Sequence, residues 1–308
     1  MRKCNLIIDS ICDLPADYVD AEGVTLLRVP YFIDGVAYED DMFTEQSPRD
    51  FYDKIRQGKT PTTAQIPLHT FLTAFEKVAE EGTPTVFLSF TSALSGSFEA
   101  SLLAREQILA EHPDVEIYCV DTKLPSIAEG LFVIEAINQM NEGLTASEMV
   151  AWAEEARYYV DALFMVDDLE SLKRGGRIPA SAAIAGAKLD VKPMLTIDPD
   201  GALKIAGIAR GRKKGIRQLE EYYTKNAPED YNGVVIIGDA DCKKESDKLH
   251  DMIVKKKDSL IIVTTNIGPV IGTHVGPGML AIVFWGEDRR QKMSITDKIA
   301  KKVKGSKE

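Results

Sequence analysis

One stretch of this sequence, residues 87–100 (FLSFTSALSGSFEA), joins an apolar run to a hydroxyl-rich turn and restricts the possible folds more than any other. Val86 to Leu88 is typical of a buried strand, and a helix is predicted over Phe98 to Leu109. Gly96 in the turn lets a ligand approach the backbone closely. Parallel sheets bind ligands at the carboxyl ends of their strands, where a helix N-terminus offers unpaired N–H groups. The stretch therefore indicates a site for a carboxylate or a phosphate, unless its serines only cap the helix and satisfy the loop.

The order of strand, polar turn and helix recurs through the first half of the chain. Strands are predicted over Asn5 to Ile8, Val24 to Ile33 and Glu116 to Val120, with helices between most of the strands. This alternation predicts right-handed crossovers and a doubly wound parallel sheet. Polar residues that follow successive strands should then gather at one edge of the sheet. These residues are Asp9 and Ser10, Ser92 and Ser95, and Asp121 and Thr122.

The pattern changes after a helix predicted over Leu144 to Tyr159, and we place a domain boundary there. Two segments joined by Asp198-Pro-Asp-Gly201 predict an antiparallel hairpin. The other elements predicted in this half include a helix over Ile178 to Ala187, a loop over Gly268 to Gly278 and a charged tail from Lys298 onward. We expect an α/β domain with a doubly wound parallel sheet, residues 1–159, followed by an α+β domain with a mainly antiparallel sheet, residues 160–308.

Composition excludes several classes of protein. The 308 residues carry a net charge of −11, which opposes binding to nucleic acid because phosphate neutralisation needs clustered Lys and Arg. No stretch offers the roughly 20 apolar residues of a membrane span, and the apolar run before Asp9 is too short for a signal peptide. The four cysteines are Cys4, Cys12, Cys119 and Cys242, and they form no CxxC pair. We therefore expect a cytoplasmic protein with reduced thiols and neither zinc nor disulfides.

His274 is the histidine most suggestive of a function, because glycines and Thr273 surround it in the predicted loop. The alternative is that it only makes structural hydrogen bonds. Ser95 with His274 could form half of a catalytic triad, but no carboxylate partner can be named from the sequence. The motifs GxGxxG and GxxxxGK[ST] are absent, as is any spacing typical of a metal site. Arg174 and Arg177, in the turn RGGR, are either surface charges or groups that bind an anion or an acidic partner.

Six short motifs occur in an order and spacing that resemble those of the DegV family over nearly the whole chain. They are DSICDLP from Asp9, TTAQIP from Thr62, SALSGS from Ser92, the pair Asp121-Thr122, LKRGGRI from Leu172 and GTHVGPG from Gly272. The resemblance implies a bacterial fatty-acid-binding protein with an α/β first domain and an α+β second domain. It also implies a carrier without catalytic residues of its own, since some members are the acyl-carrying subunit of a fatty acid kinase.

The resemblance also implies which residues hold the ligand. Carried over, Thr63, Ser95 and His274, with Gly96 beside them, bind the carboxylate of a long-chain fatty acid at a cleft between the domains. Ala64 departs from the family pattern, which usually has serine at that position. Supporting polar groups are expected from Thr62, Gln65, Ser92, Ser97 and Thr273. Arg174 and Arg177 become candidates for contact with the kinase.

The expected ligand is a fatty acid, and we expect no cofactor and no metal. The acyl chain would supply most of the affinity, at about 0.8 kcal/mol for each buried methylene, and therefore needs an apolar tunnel. Contact with a membrane surface would be transient and would serve ligand exchange. A rival hypothesis is a stand-alone serine esterase or acyl-phosphate hydrolase that uses Ser95 and His274. A third is the binding of another small amphipathic carboxylate.

Overall fold

The computed structural model describes residues 2–181, 190–257 and 259–291, which fold into three β-sheets and the helices that cover them. One sheet is parallel, one is mainly antiparallel and the third is small. This confirms the predicted combination of a parallel sheet early in the chain and a mainly antiparallel sheet later. No helix within these ranges is both long enough and apolar enough to cross a membrane.

The parallel sheet comes from the first half of the chain. Its strands are β1 (Asn5–Asp9), β2 (Val24–Leu27), β6 (Thr85–Ser89) and β7 (Ile117–Asp121). They stand in the order β2-β1-β6-β7, so the direction of winding reverses between β1 and β6. The Asp9 carboxylate, at the end of β1, accepts a hydrogen bond from the backbone N–H of Phe90 at 3.0 Å. The turns after these two strands therefore meet at the reversal, where open α/β sheets bind ligands.

The single strand predicted over Val24 to Ile33 is wrong, because the chain changes sheets within it. After β2 ends, β3 (Pro30–Ile33) pairs antiparallel with β4 (Val36–Glu39) and β5 (Thr62–Thr63) to form the small sheet. Between β2 and β3, the N–H of Val29 donates to Ser10 Oγ at 3.1 Å. This hydrogen bond connects the segment between the two strands to the turn after β1. The small sheet fixes the loop that carries Thr63.

The larger sheet takes all of its strands from residue 160 onward. They are β8 (Val160–Met165), β9 (Val191–Ile197), β10 (Leu203–Arg210), β11 (Val234–Asp239), β12 (Ile261–Asn266) and β13 (Leu280–Trp285). Their order is β10-β9-β8-β13-β11-β12, and every pair is antiparallel except β11 with β12. The β9-β10 pair confirms the predicted hairpin. The helix predicted over Ile178 to Ala187 falls largely, and the tail from Lys298 wholly, outside the described residues.

One helix, α4, lies between the two larger sheets. The α-helices are α1 (Pro48–Arg56), α2 (Leu68–Glu81), α3 (Ser97–Glu111), α4 (Ile127–Glu142), α5 (Ala146–Ala156), α6 (Glu170–Arg174), α7 (Arg212–Asn226), α8 (Lys243–Val254) and α9 (Pro269–Val275). Helix α4 contacts β1 of the parallel sheet and β8, β11 and β13 of the larger sheet. Its side chains from Ile127 to Val133 are all buried, as its position between two sheets requires.

The segment Gly268 to Gly278, predicted as a loop, contains the short helix α9. Its glycines serve close packing, because a Cβ at Gly272 would lie 2.5 Å from the hydroxyl oxygen of Tyr52 on α1. The N–H of Gly268 donates to Asp13 Oδ1 at 2.9 Å, which ties the first turn of α9 to the turn after β1. His274 therefore lies in the last turn of a helix rather than in a loop.

Candidate functional site

A cavity of about 170 Å³ lies beside the strand-order reversal, between the parallel sheet and the larger sheet. Its walls are mostly apolar and come from the turns after β1 and β6, the start of α4, the strands β8 and β13, and α9; examples are Phe90, Ile127, Phe164, Val270 and Met279. A single water needs only about 10–15 Å³, so this space is far larger than a packing defect. Its mostly apolar walls suit an apolar ligand rather than a polar one.

Thr63 and His274 form a hydrogen-bonded pair on the wall of the cavity. Thr63 Oγ1 lies 2.8 Å from His274 Nε2, although 211 positions separate the two residues in the sequence. The pairing of β5 with β3 positions the threonine, and α9 positions the histidine. The other ring nitrogen, Nδ1, is buried and has no hydrogen-bond partner among the described residues.

The surroundings of His274 hold the imidazole in its neutral form. Burial, followed by the positive charges of Arg177 and Arg174, lowers the pKa of His274 to about 4. A neutral imidazole has one N–H donor and one acceptor nitrogen. The ring lies directly against Gly175, where a Cβ would come within 2.2 Å of Nδ1. The first glycine of the RGGR turn thus makes room for the histidine, a role that the sequence alone did not suggest.

Ser95 lines the cavity from the turn after β6 and is held by Ser97. The two hydroxyl oxygens are 3.0 Å apart, and Ser97 Oγ also accepts a hydrogen bond from the N–H of Ile66 at 3.1 Å. Ser97 thereby joins the SALSGS turn to the loop that carries Thr63. Within the described ranges, no hydrogen bond joins Ser95 to His274.

Gly96 and Gln65 pack together at the edge of the cavity. A Cβ at Gly96 would lie 2.2 Å from Gln65 Oε1, so the Gln65 side chain occupies the space that a side chain at position 96 would need. Gly96 also directly precedes α3 as its N-cap residue. The two polar loops that the sequence singled out are therefore in direct contact.

Arg177 lines the cavity, whereas Arg174 is exposed. Arg177 Nε donates to the carbonyl oxygen of Leu94 at 3.2 Å, and its guanidinium also donates to the carbonyl oxygen of Gly175. Burial lowers the pKa of Arg177, which nevertheless remains a cation at neutral pH. The arginine ties the RGGR turn to the SALSGS turn and brings a positive charge to the same end of the cavity as His274.

Four of the five predicted supporting residues do not line the cavity: Thr62, Ser92, Ser97, which bonds to Ser95, and Thr273. Thr62 is exposed. The hydroxyl of Ser92 donates to Asp121 Oδ2 at 2.7 Å, which joins the turns after β6 and β7. The hydroxyl of Thr273 donates to the carbonyl oxygen of Pro269 at 2.8 Å, within its own helix. Ser126, by contrast, lines the cavity, although it was not among the residues predicted for the site.

This end of the cavity offers donors and a positive charge to a single ligand group. The hydroxyls of Thr63 and Ser95, the neutral imidazole and the guanidinium of Arg177 can together bind a carboxylate that leaves water. The part of the chain that the structure describes holds no group of three or more His, Cys, Asp or Glu residues that could bind a metal ion.

Comparison with known proteins identifies related chains over nearly the full length. The model of a family described as "uncharacterised protein, DegV family" matches residues 3–287. A DegV domain-containing protein of Clostridium perfringens is 36% identical over 289 residues, which cover 94% of this chain and 99% of that protein.

Solved structures are similar in fold over the same extent. A DegV family protein of Thermus thermophilus, described by its fatty acid binding, has a TM-score of 0.82 and 28% identity, and the match covers 93% of this chain and 100% of that one. A Thermotoga maritima structure described as a DegV lipid binding protein has a TM-score of 0.79 and 27% identity, with 93% and 99% covered. On the family match and the C. perfringens relative together, this chain belongs to the DegV family.

Proposed function

We propose that the protein binds one long-chain fatty acid, with its carboxylate held by Thr63, Ser95 and His274 and its acyl chain in the cavity. The observation that carries this proposal is an apolar cavity that ends in hydroxyl, imidazole and guanidinium groups. The solved relatives from T. thermophilus and T. maritima, described as fatty-acid-binding and lipid-binding proteins, support the same class of ligand.

The electrostatic field at the headgroup end favours an anion. The positive charges of Arg177 and Arg174 make protonation of His274 less favourable, and the same field attracts a carboxylate. The bond between Thr63 and His274 uses one of the two hydrogens of that pair and leaves the other to donate, and Ser95 can donate its own hydrogen when Ser97 supplies the one in their mutual bond. A carboxylate could therefore be bound without a formal ion pair to the histidine.

The acyl chain would supply most of the affinity. Each methylene that leaves water for the apolar walls contributes about 0.8 kcal/mol, whereas ordering the ligand and desolvating its headgroup cost binding energy. A protein that holds its ligand in this way suits a carrier rather than a catalyst. We propose that it presents the carboxylate to a separate kinase and then shields the acyl phosphate from water.

The exposed Arg174, on the turn next to His274, is our candidate for contact with that kinase. Contact with a membrane surface would be brief and would serve exchange of the fatty acid. We place the carrier in the cytoplasm, and its free cysteines, Cys4, Cys12, Cys119 and Cys242, suit a reducing compartment.

The rival function, a serine hydrolase, finds less support in the geometry. Ser95 bonds to Ser97, His274 bonds to Thr63, and the Nδ1 atom that an orienting carboxylate would need to reach has no partner among the residues described. Turnover of a chromogenic acyl ester that is lost in Ser95→Ala would nonetheless favour the hydrolase over the carrier.

Native mass spectrometry of the purified protein, followed by organic extraction, tests the proposed ligand. We expect about one fatty acid per chain, and weaker retention in Ser95→Ala and His274→Ala because each removes a headgroup contact. Ser147→Ala and His112→Ala, at exposed positions on α5 and at the end of α3, are matched controls. Protein that is free of lipid and also rejects added fatty acid would rule out the proposal.

A second variant tests the headgroup site without removing any of its polar groups. Gly175→Ala should displace the His274 ring, because the new Cβ would overlap Nδ1, and it should weaken fatty acid retention about as much as His274→Ala does. Gly207→Ala, where a Cβ meets nothing within 4 Å, is the control. Full retention in folded Gly175→Ala would show that the position of His274 does not matter for the ligand.

A further inference from the structure

The polar residues of the cavity wall divide by their contacts into one connected group and one residue outside it. Thr63, Gln65, Ser95, Arg177 and His274 belong to segments that contact one another at the headgroup end. Ser126 also lines the cavity, but no hydrogen bond joins it to that group within the ranges that the structure describes. Its chain neighbours Pro125, Ile127 and Ala128 line the cavity as well and are apolar, so Ser126 is the polar residue of this lining segment.

Ser126 has an unusual backbone conformation. Its φ of 56° and ψ of −139° fall in a region that residues with a side chain seldom occupy. Such a conformation is unfavourable for a residue with a side chain and is concentrated at functional sites. Glycine would avoid this cost, whereas serine places a hydroxyl group at this position.

A partner outside the cavity fixes the hydroxyl of Ser126. It is hydrogen-bonded to Asp13 Oδ2, and Asp13 Oδ1 accepts the N–H of Gly268 at 2.9 Å. Although Ser126 precedes α4 directly, its side chain makes no capping hydrogen bond to that helix. A hydroxyl has one hydrogen and two acceptor lone pairs, so this single bond leaves capacity for a second partner.

We propose that Ser126 is a second polar subsite of the cavity and that it binds a hydroxyl group carried on the acyl chain. This inference rests on the proposed function, since it assumes a fatty acid in the same cavity, and it narrows the ligand class to hydroxylated fatty acids. A hydroxyl group on the acyl chain can both donate and accept a hydrogen bond. If Ser126 donates its hydrogen to Asp13, the ligand hydroxyl can donate to the Ser126 oxygen. If Asp13 is protonated and donates to Ser126, the ligand hydroxyl can accept the hydrogen of Ser126. A methylene at the same place leaves the Ser126 oxygen without a second partner.

The geometry also implies a preferred position for the hydroxyl. Ser126 is held by its hydrogen bond to Asp13, and Thr63 and His274 are held by theirs to each other, so one carbon of the acyl chain should lie opposite Ser126 when the carboxylate is bound. A net hydrogen bond corresponds to a preference of roughly two- to tenfold. That preference should peak at one carbon and fall on either side of it.

A competition experiment tests the subsite. Lipid-free protein is offered an equal mixture of stearic acid and hydroxystearic acids with the hydroxyl at successive carbons, and the bound species are quantified by native mass spectrometry. We expect one positional isomer to be enriched roughly two- to tenfold over stearic acid. Ser126→Gly, which removes the hydroxyl and relieves the backbone strain, and Ser126→Ala should bind stearic acid but lose the enrichment. Ser147→Ala, at an exposed position on α5, should keep it.

The outcomes separate this inference from the proposed function. Stearic acid bound with no preference among isomers would overturn the subsite and leave fatty acid binding intact. Enrichment that survives in Ser126→Gly would overturn the role of Ser126. Wild-type protein that binds none of the acids would overturn both proposals.

Discussion

His274 combines a low affinity for protons with a ring nitrogen that has no partner among the described residues. Burial, together with Arg177 and Arg174, lowers its pKa to about 4, so the ring is neutral above that pH. A bound carboxylate would oppose the field of the arginines and raise this pKa. We expect an NMR titration to give His274 a pKa of about 4 in lipid-free protein and a higher value with fatty acid bound. An unchanged value on binding would contradict contact between the ring and the headgroup.

Among individual residues, the sequence identified those whose chemistry is visible in short motifs. Thr63, Ser95 and His274 were predicted from their motifs and from the family resemblance, and they line one cavity. Gly175 and Ser126 were missed, because their roles depend on contacts with His274 and Asp13, which are distant in the sequence. A glycine that makes room for a distant ring looks like any turn glycine when only its neighbours are known.

At the scale of elements, the fit of α4 against the turn after β1 depends on Gly130. A Cβ there would lie 2.5 Å from the carbonyl oxygen of Cys12 and 3.0 Å from the side chain of Leu14. Gly130→Ala should therefore lower the free energy of unfolding by about 1–3 kcal/mol, less the gain of up to about 1 kcal/mol from the higher helix propensity of alanine. Urea denaturation measures the difference.

Asn138→Ala, on the exposed side of the same helix, is the control for Gly130→Ala. Its side chain reaches only Glu135, at 3.2 Å, and a change of this kind shifts stability by less than about 0.5 kcal/mol. Equal stability of Gly130→Ala and wild type would mean that α4 can move away from the turn after β1 at no cost.

The units of strand, turn and helix in the parallel sheet were predictable because each has its own local periodicity. Two elements were not. The run from Val24 to Ile33 has a continuous strand pattern, and only its partners decide that it divides between two sheets. The glycines of α9 favour a loop by propensity, but close contact with Tyr52 and the hydrogen bond from Gly268 to Asp13 stabilise a helix there.

At the scale of the whole molecule, buried carboxyl groups make stability depend on pH. Asp9, Asp13, Asp40 and Glu129 are all buried, and Glu129 has no hydrogen-bond partner in the described part of the chain. Burial raises the pKa of Asp9 and of Asp40 to about 7, and it raises those of Asp13 and Glu129 well above their usual values. The folded protein thus binds these protons more tightly than the unfolded chain does.

The sign of this effect follows from the two pKa values of Asp9. Its stabilising contribution is complete below the unfolded value of 3.8 and is lost as pH rises to about 7. Asp9→Asn keeps an acceptor for the N–H of Phe90 but cannot titrate. We expect wild type to lose stability relative to Asp9→Asn between about pH 4 and pH 7, with a constant difference above that range. Parallel stability curves for the two proteins would contradict the high pKa of Asp9.

The cavity itself could not be predicted from sequence, because its walls come from segments spread along the whole chain, from Ile11 to Val283. Apolar residues at these positions have the same local pattern as ordinary core residues. We retain the division into residues 1–159 and 160–308 as a proposal. Within the ranges that the structure describes, the six strands of the larger sheet fall in the second part.

The position of α4 limits how this protein can be recombined with its relatives. The helix precedes the proposed boundary in the chain, yet it packs against β8, β11 and β13, which follow that boundary. A chimera that joins the first part of one relative to the second part of another would inherit α4 from one parent and most of the strands around it from the other. The two parts of the chain are therefore poor modules for exchange, and substitutions on α4 must suit partners in both.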